Sequence, residues 1–141
     1  MKRQASLFCA GIALIAVLAV GSGYAQSHLK LHADIPFEFV ASNVTFPAGH
    51  YTVRVLQPGR VLIQSDDYRN AGIVMTIPKA TGRTSEKTKL MFNRYGEKYF
   101  LSQIWTQGEG TGRQLLKSRA EREIVAKLKS DQPTTIAATV K

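Results

Sequence analysis

The chain has 141 residues, a single cysteine, and 19 Lys and Arg against 10 Asp and Glu, for a net charge of +9. One cysteine excludes an intramolecular disulfide and a thiolate zinc site. The excess of cations suits acidic polysaccharide, lipid headgroups or nucleic acid, but it forms no block of like sign, which favours a positive, solvated surface over a dedicated polyanion site.

Residues 1–25 read as a signal peptide. Lys2 and Arg3 precede an apolar run from Leu7 to Val20, and Gly23 and Ala25 give the small-x-small pattern of a cleavage site before Gln26. A membrane anchor is the other reading, but the run is short for a span of about 20 residues and no stop-transfer charges follow. Cys9 lies inside the run, too early for a lipoprotein site, and leaves with the leader. Removing Lys2 and Arg3 leaves 17 cations against 10 acids, or +7, and no thiol nucleophile. The expected location is periplasmic or extracellular. No second apolar run follows, so no transmembrane span is expected after cleavage. The remaining chain of about 116 residues suffices for one domain, 26–130, that buries roughly 65% of its unfolded surface.

From Leu29 to Phe39 every odd position is apolar and the positions between are Lys30, His32, Asp34, Pro36 and Glu38. That period of two predicts a strand with one wet and one buried face, or two strands with a break. Pro36 donates no N–H, so its region belongs at a sheet edge or at a crossing between sheets. Val44 and Phe46 resume the pattern. Pro47-Ala48-Gly49 makes a turn, and Tyr51, Val53 and Val55 carry the next strand. Pro58-Gly59 suits a type II turn before a short strand at Val61–Ile63, expected to be buried on both faces. Ala71, Ile73, Met75 and Ile77 alternate as a further apolar face. Lys79–Lys87 (KATGRTSEK) reads as a mobile loop.

Leu90–Tyr95 and Lys98–Thr106 are strands; in the second, Tyr99, Leu101, Gln103 and Trp105 share one face and Phe100, Ser102 and Ile104 the other. A glycine-rich loop, QGEGTG, follows. Ser118 and Glu121 form a capping box that opens a helix over 118–129, with Ala120, Ile124 and Leu128 as its apolar stripe. Residues 131–141 read as a flexible tail. Seven or eight short strands about 10 residues apart, with one C-terminal helix, predict an all-β, antiparallel sandwich or small barrel. Helical crossovers are missing, which argues against a parallel sheet.

Four groups of residues could carry chemistry. His32, Asp34 and Glu38 project from one strand face and His50 follows the next turn. Histidine with carboxylate suits a metal or acid–base work, although the three strand positions spread over about 20 Å and only a pair such as His32 with Asp34 or His50 can converge. Tyr68, Tyr95, Tyr99, Phe100 and Trp105, with Arg94 and Lys98 nearby, could form a stacking platform for acidic sugars; aromatic strands more often fill a core. Of these, Tyr99, Trp105, Arg94 and Lys98 are the candidate binding residues. Lys79, Arg83, Lys87, Lys89, Arg113, Lys117, Arg119 and Arg122 flank two loops and the helix start, as a polyanion site or a solvated rim. Gly108, Gly110 and Gly112 lie between strand and helix, but Arg113 stands where a dinucleotide loop needs glycine, and no Gly-Lys-Ser/Thr follows. The hydrolase motifs G-x-S-x-G and H-E-x-x-H are absent, so no catalytic residue is assigned and no cofactor is implied.

Ile35-Pro36-Phe37-Glu38-Phe39, Phe46-Pro47-Ala48-Gly49-His50-Tyr51-Thr52-Val53, and Tyr99-Phe100-Leu101-Ser102 with Ser118-Arg119-Ala120-Glu121-Arg122-Glu123 together resemble a family of small exported bacterial proteins of unknown function. The Pro-Ala-Gly-x-Tyr piece also resembles the turn and strand of prealbumin-like sandwich modules. Neither resemblance implies catalytic residues. The expectation is an exported, non-enzymatic β domain that binds or organises something in the envelope or outside the cell. An acidic-glycan or polyanion binder is the alternative, and a metal-assisted enzyme using His32, Asp34 or His50 is a third.

Overall fold

The computed structural model describes residues 29–128 and 133–140. The expected signal peptide and Cys9 lie outside the described residues. Ten strands and one helix are described: β1 Lys30–Ile35, β2 Phe39–Ala41, β3 Val44–Phe46, β4 Gly49–Gln57, β5 Arg60–Ser65, β6 Ala71–Ala80, β7 Lys89–Tyr95, β8 Lys98–Trp105, β9 Thr111–Leu115, α1 Arg119–Leu128 and β10 Thr134–Thr139. The fold is β-rich and almost wholly antiparallel; only β2 runs parallel to its neighbour β8.

Hydrogen-bonded neighbours follow the order β1-β4-β5-β6-β9-β8, then β7 and β10. An antiparallel bridge from Val140 to Ala33 returns this series to β1. Eight strands thus close into a small barrel, with the β2–β3 hairpin attached beside β8. Closure removes the unpaired edge that an open sandwich would leave between β1 and β10.

The alternation in β1 holds residue by residue. Leu31, Ala33 and Ile35 are buried; Lys30, His32 and Asp34 are exposed. The chain breaks at Pro36, and whereas β1 pairs with β4, β2 pairs with β3 and β8. Proline thus sits where the chain leaves one half of the barrel for the other, as a residue without an N–H should. The interior is filled by side chains. Phe39 stacks on Phe46 at 5.1 Å, Tyr51 meets both rings edge-on at 5.3 and 5.7 Å, and Phe92 meets Phe39 edge-on at 5.5 Å.

Four sequence expectations are corrected. In β6 the apolar set Ile73, Met75 and Ile77 faces out, and Val74 and Thr76 face in. The register with β5 sets Val74 opposite Val61 and Gly72 opposite Ile63, and cross-strand partners share a face. A Cβ on Gly72 would stand 3.0 Å from the Phe46 ring, so a side chain at that inward position would press the ring aside. In β8 a bulge flips the alternation. Leu101 pairs with Phe92 and Gln103 with Met91, leaving Ser102 as the extra residue, its hydroxyl donating to the Met91 carbonyl at 2.9 Å. Leu101 and Ile104 therefore both reach the core.

The third correction concerns the tail. Thr134–Thr139 pairs with β7 across its whole length, from Thr134 opposite Arg94 to Thr139 opposite Lys89. Threonine and isoleucine suit a pleated ladder, and β7 offers an otherwise open edge. The fourth is the helix stripe. Ala120 is exposed, and the one buried residue of α1 is Glu121.

Candidate functional site

Of Lys79–Lys87, expected to be a mobile loop, Lys79 and Ala80 belong to β6, and the loop that remains, 81–88, is tied down by its neighbour. The Thr81 amide donates to the Gly110 carbonyl at 3.3 Å and the Ser85 amide to Glu109 at 2.9 Å. In return the Gly108 amide donates to Ser85 at 2.8 Å. The Gln107 amide donates to Thr88 Oγ1 at 3.1 Å. Gln107, Gly108 and Glu109 thus spend their amides on protein carbonyls and a hydroxyl, not on an open phosphate cradle. The last glycine of that loop, Gly112, lies in β9 under Trp105; a Cβ there would stand 2.6 Å from the indole.

The 81–88 loop, with Lys89 and Trp105, walls a surface cavity of about 420 Å³. Arg83, Lys87, Lys89 and Trp105 line it with Thr81, Thr84, Ser85 and one acid, Glu86. A second cavity of about 490 Å³ shares Lys87 and Lys89 and continues along the β1–β10 seam past Gln107 and Val140. Among the described residues, the ion pairs are Asp34–His50, Asp67–Arg69, Arg94–Glu97, Arg113–Glu109 and Arg119–Glu123. Arg83, Lys87 and Lys89 join none of them. Three cations, unpaired among the described residues, thus flank one groove, floored by an indole that is only 5% exposed. Such a groove can hold a chain of anionic groups by charge and set its height against the Trp105 edge.

The remaining cations divide. Lys79 pairs with Gly112 in the β6–β9 ladder, one strand from Trp105. Arg113 is engaged by Glu109 at 3.9 Å. Lys117, Arg119 and Arg122 lie at the start of α1, and Arg119 meets Glu123 at 3.0 Å. The helix leans on Asn93 and Tyr95, toward the end of β7 away from Lys89.

Tyr99 and Trp105 are not brought together. They stand six positions apart on one strand, about 20 Å. Tyr99 stacks on Phe37 at 4.1 Å and 19°, packed against the core, and the Arg94 guanidinium lies 5.5 Å from its centroid. Arg94 also donates to the Gly96 carbonyl at 2.7 Å and meets Glu97 at 3.6 Å. Lys98 borders a separate depression of about 480 Å³, whose lining mixes Glu38, Glu97 and Glu123 with Lys98 and Arg119. That balance of charge does not select an anion. Tyr68 is exposed on the β5–β6 loop.

On the outer face of β1 and β4, His50 Nδ1 stands 3.4 Å from Asp34 Oδ1, both exposed. His32 Nδ1 is 3.2 Å from Thr52 Oγ1, which donates to Asp66 at 3.1 Å. Asp34 faces His50 and His32 faces Thr52 in the ladder, so the two histidines occupy different rows. Among the described residues, no three His, Cys, Asp or Glu side chains converge as metal ligands.

Glu121 takes a role other than the capping-box partnership expected of it. It is 3% exposed, and its Oε1 accepts from Asn93 Nδ2 at 3.0 Å and from the Tyr95 hydroxyl at 3.2 Å. Ser118 still caps the helix, its hydroxyl accepting from the Glu121 amide at 3.1 Å. The carboxylate that a capping box would turn back is instead the helix's polar anchor. The signal was present in the helical period: Glu121, Ile124, Val125 and Leu128 fall on one side at i, i+3, i+4 and i+7. A charged first member hid it.

Burial, and then the nearby Glu121 charge, push the Tyr95 hydroxyl up to about 12. A phenol that holds its proton more tightly when folded adds stability below its unfolded value of about 10, and that gain is lost as pH rises to about 12. Tyr95→Phe removes the group, so its thermal midpoint will fall less steeply between pH 10 and 12 than that of the parent. Tyr51 is also shifted upward, by burial and then by Asp67, so part of the slope persists in the variant. Thermal melts across this range check it; parallel curves would refute the assignment.

No family model, curated protein or solved structure matches the chain. The groove stands on its own geometry.

Proposed function

We propose that this protein is an exported, non-enzymatic binding module that holds an anionic polymer, such as an acidic glycan of the envelope or its surroundings, in the groove beside Trp105. The observation that carries the reading is the gathering of Arg83, Lys87 and Lys89, none of them in an ion pair among the described residues, around one cavity with a single acid. Export rests on the leader pattern before Gln26 and on the resemblance to small exported bacterial proteins. The missing nucleophile and metal motifs support a binding role.

The test is titration with polygalacturonate and dextran sulfate, with neutral dextran as control, over a range of salt. Binding should appear with the two polyanions and weaken steeply as salt rises. Lys87→Glu with Lys89→Glu should weaken it by at least about tenfold at low salt and flatten the salt slope by about two, one for each lost contact. Lys98→Glu, in the mixed-charge depression, should change it little. Absence of binding at low salt overturns the polymer reading, and a turnover screen that finds a mutation-sensitive activity overturns the non-enzymatic one.

A further inference from the structure

The outward face of β5 and β6 is dressed for a different partner. Ile73, Met75 and Ile77 are 59%, 51% and 47% exposed, and consecutive members are two positions apart on one strand. Leu62, half-buried, stands directly opposite Ile73. A row of three adjacent large apolar side chains, with a fourth beside it, differs from the single exposed leucine that any surface carries.

The residues around the stripe are cationic. In the ladder, Lys30 faces Arg54, Arg54 faces Leu62, and Leu62 faces Ile73, so one row across the barrel wall runs from two cations into two apolar side chains. Arg60 stands opposite Met75. Arg54 and Arg60 are exposed and join no ion pair among the described residues. No Asp or Glu occurs in 54–65 or in 71–80. The nearest acids, Asp66 and Asp67, sit at the loop tip and are engaged: Asp66 by Thr52, Asp67 by Ser65 and Arg69. At that same end Tyr68 is 78% exposed and borders a depression with Lys30, His32 and Arg54, in which Asp66 is the single acid.

We infer that this face docks on an anionic lipid surface. The stripe and Tyr68 enter the headgroup boundary, where an apolar body with a polar tip is favoured, and Lys30, Arg54 and Arg60 meet the lipid phosphates. Charge complementarity selects this occupant. A second copy docked by the same patch would bring the arginines near their own equivalents, with no acid between them. Among the described residues no helix is long and apolar enough to cross a membrane, so the contact proposed is peripheral. The groove beside Trp105 is built from other strands, and the inference does not depend on it.

The experiment is co-sedimentation of the protein, as processed by the exporting cell, with two kinds of vesicle. One is phosphatidylcholine alone; the other is equal parts phosphatidylcholine and phosphatidylglycerol. The protein should bind the second and not the first. Ile73→Ser with Met75→Ser should weaken binding by at least about tenfold, and both side chains are exposed, so circular dichroism should show the fold retained. Arg54→Gln with Arg60→Gln should weaken it and blunt its salt dependence. Lys87→Glu with Lys89→Glu should weaken polyanion binding in solution by at least about tenfold yet keep vesicle binding, which separates failure of one site from failure of the other. Vesicle binding that the serine variant leaves unchanged overturns the inference. So does a concentration-dependent dimer that the serine variant dissolves, with no vesicle binding by the parent.

Discussion

Phe39→Ala lowers the free energy of unfolding by about 3–5 kcal/mol, the range for truncating a fully buried aromatic. The ring is 1% exposed and lies at the meeting point of Phe46, Tyr51 and Phe92, which come from β3, β4 and β7. Its loss leaves a hole bordered by three rings that cannot all move inward, because Tyr51 and Phe92 belong to strands of the barrel wall and Phe46 to the hairpin packed against it. Phe39→Leu keeps most of the volume and should cost only about 1–1.5 kcal/mol. Urea titration of the two variants gives the ordering. A cost below about 1 kcal/mol for the alanine variant would mean that Phe39 lines the wall and not the centre.

Gly112→Val should cost about 1–3 kcal/mol, the range for forcing extra bulk into a packed site. The ideal Cβ would meet three atoms of the Trp105 ring at 2.6, 2.7 and 2.8 Å, closer than real side chains approach. Either the indole tilts outward or β9 shifts away from β8, and the β8–β9 ladder is short, with Gln103 and Ile104 as its paired positions. Trp105 is the only tryptophan of the chain, so its emission reports the outcome directly. Displacement into water should move the emission to the red, and loss of the groove floor should weaken polyanion binding along with stability. An unshifted spectrum with parental stability would show that Trp105 does not rest on Gly112.

Much of the barrel wall was legible in the residues. The two-residue rhythm from Leu29 to Phe39 names the inward side chains of β1 and β2 correctly, because one face of such a strand must be dry whatever it pairs with. Pro36 marks the crossing because proline lacks a ladder donor. Ser118 marks the helix start because four N–H groups there need an acceptor. The β6 stripe shows where that logic stops. Ile73, Met75 and Ile77 alternate as cleanly as Leu31, Ala33 and Ile35, yet they face out, because the β5 register and the Phe46 ring under Gly72 leave the inner side to other residues. Period identifies two faces; partners choose which one is inside.

The candidate groove was still less visible, for the same reason. Its cations were known as a scattered set, but Arg83 meets Lys89 across Trp105 only after loop 81–88 is pinned to Gly108–Gly110. Sheet closure through Ala33 and Val140, the single-residue bulge at Ser102 and the burial of Glu121 beneath the helix all depend on distant partners. Amino-acid order settled the local matters: strand character, turns, caps, and a cationic chain with a single cysteine. Long-range pairing settled the rest, since facing, closure and convergence are properties of neighbours that lie tens of residues apart and are set by which combination fills the interior without a void.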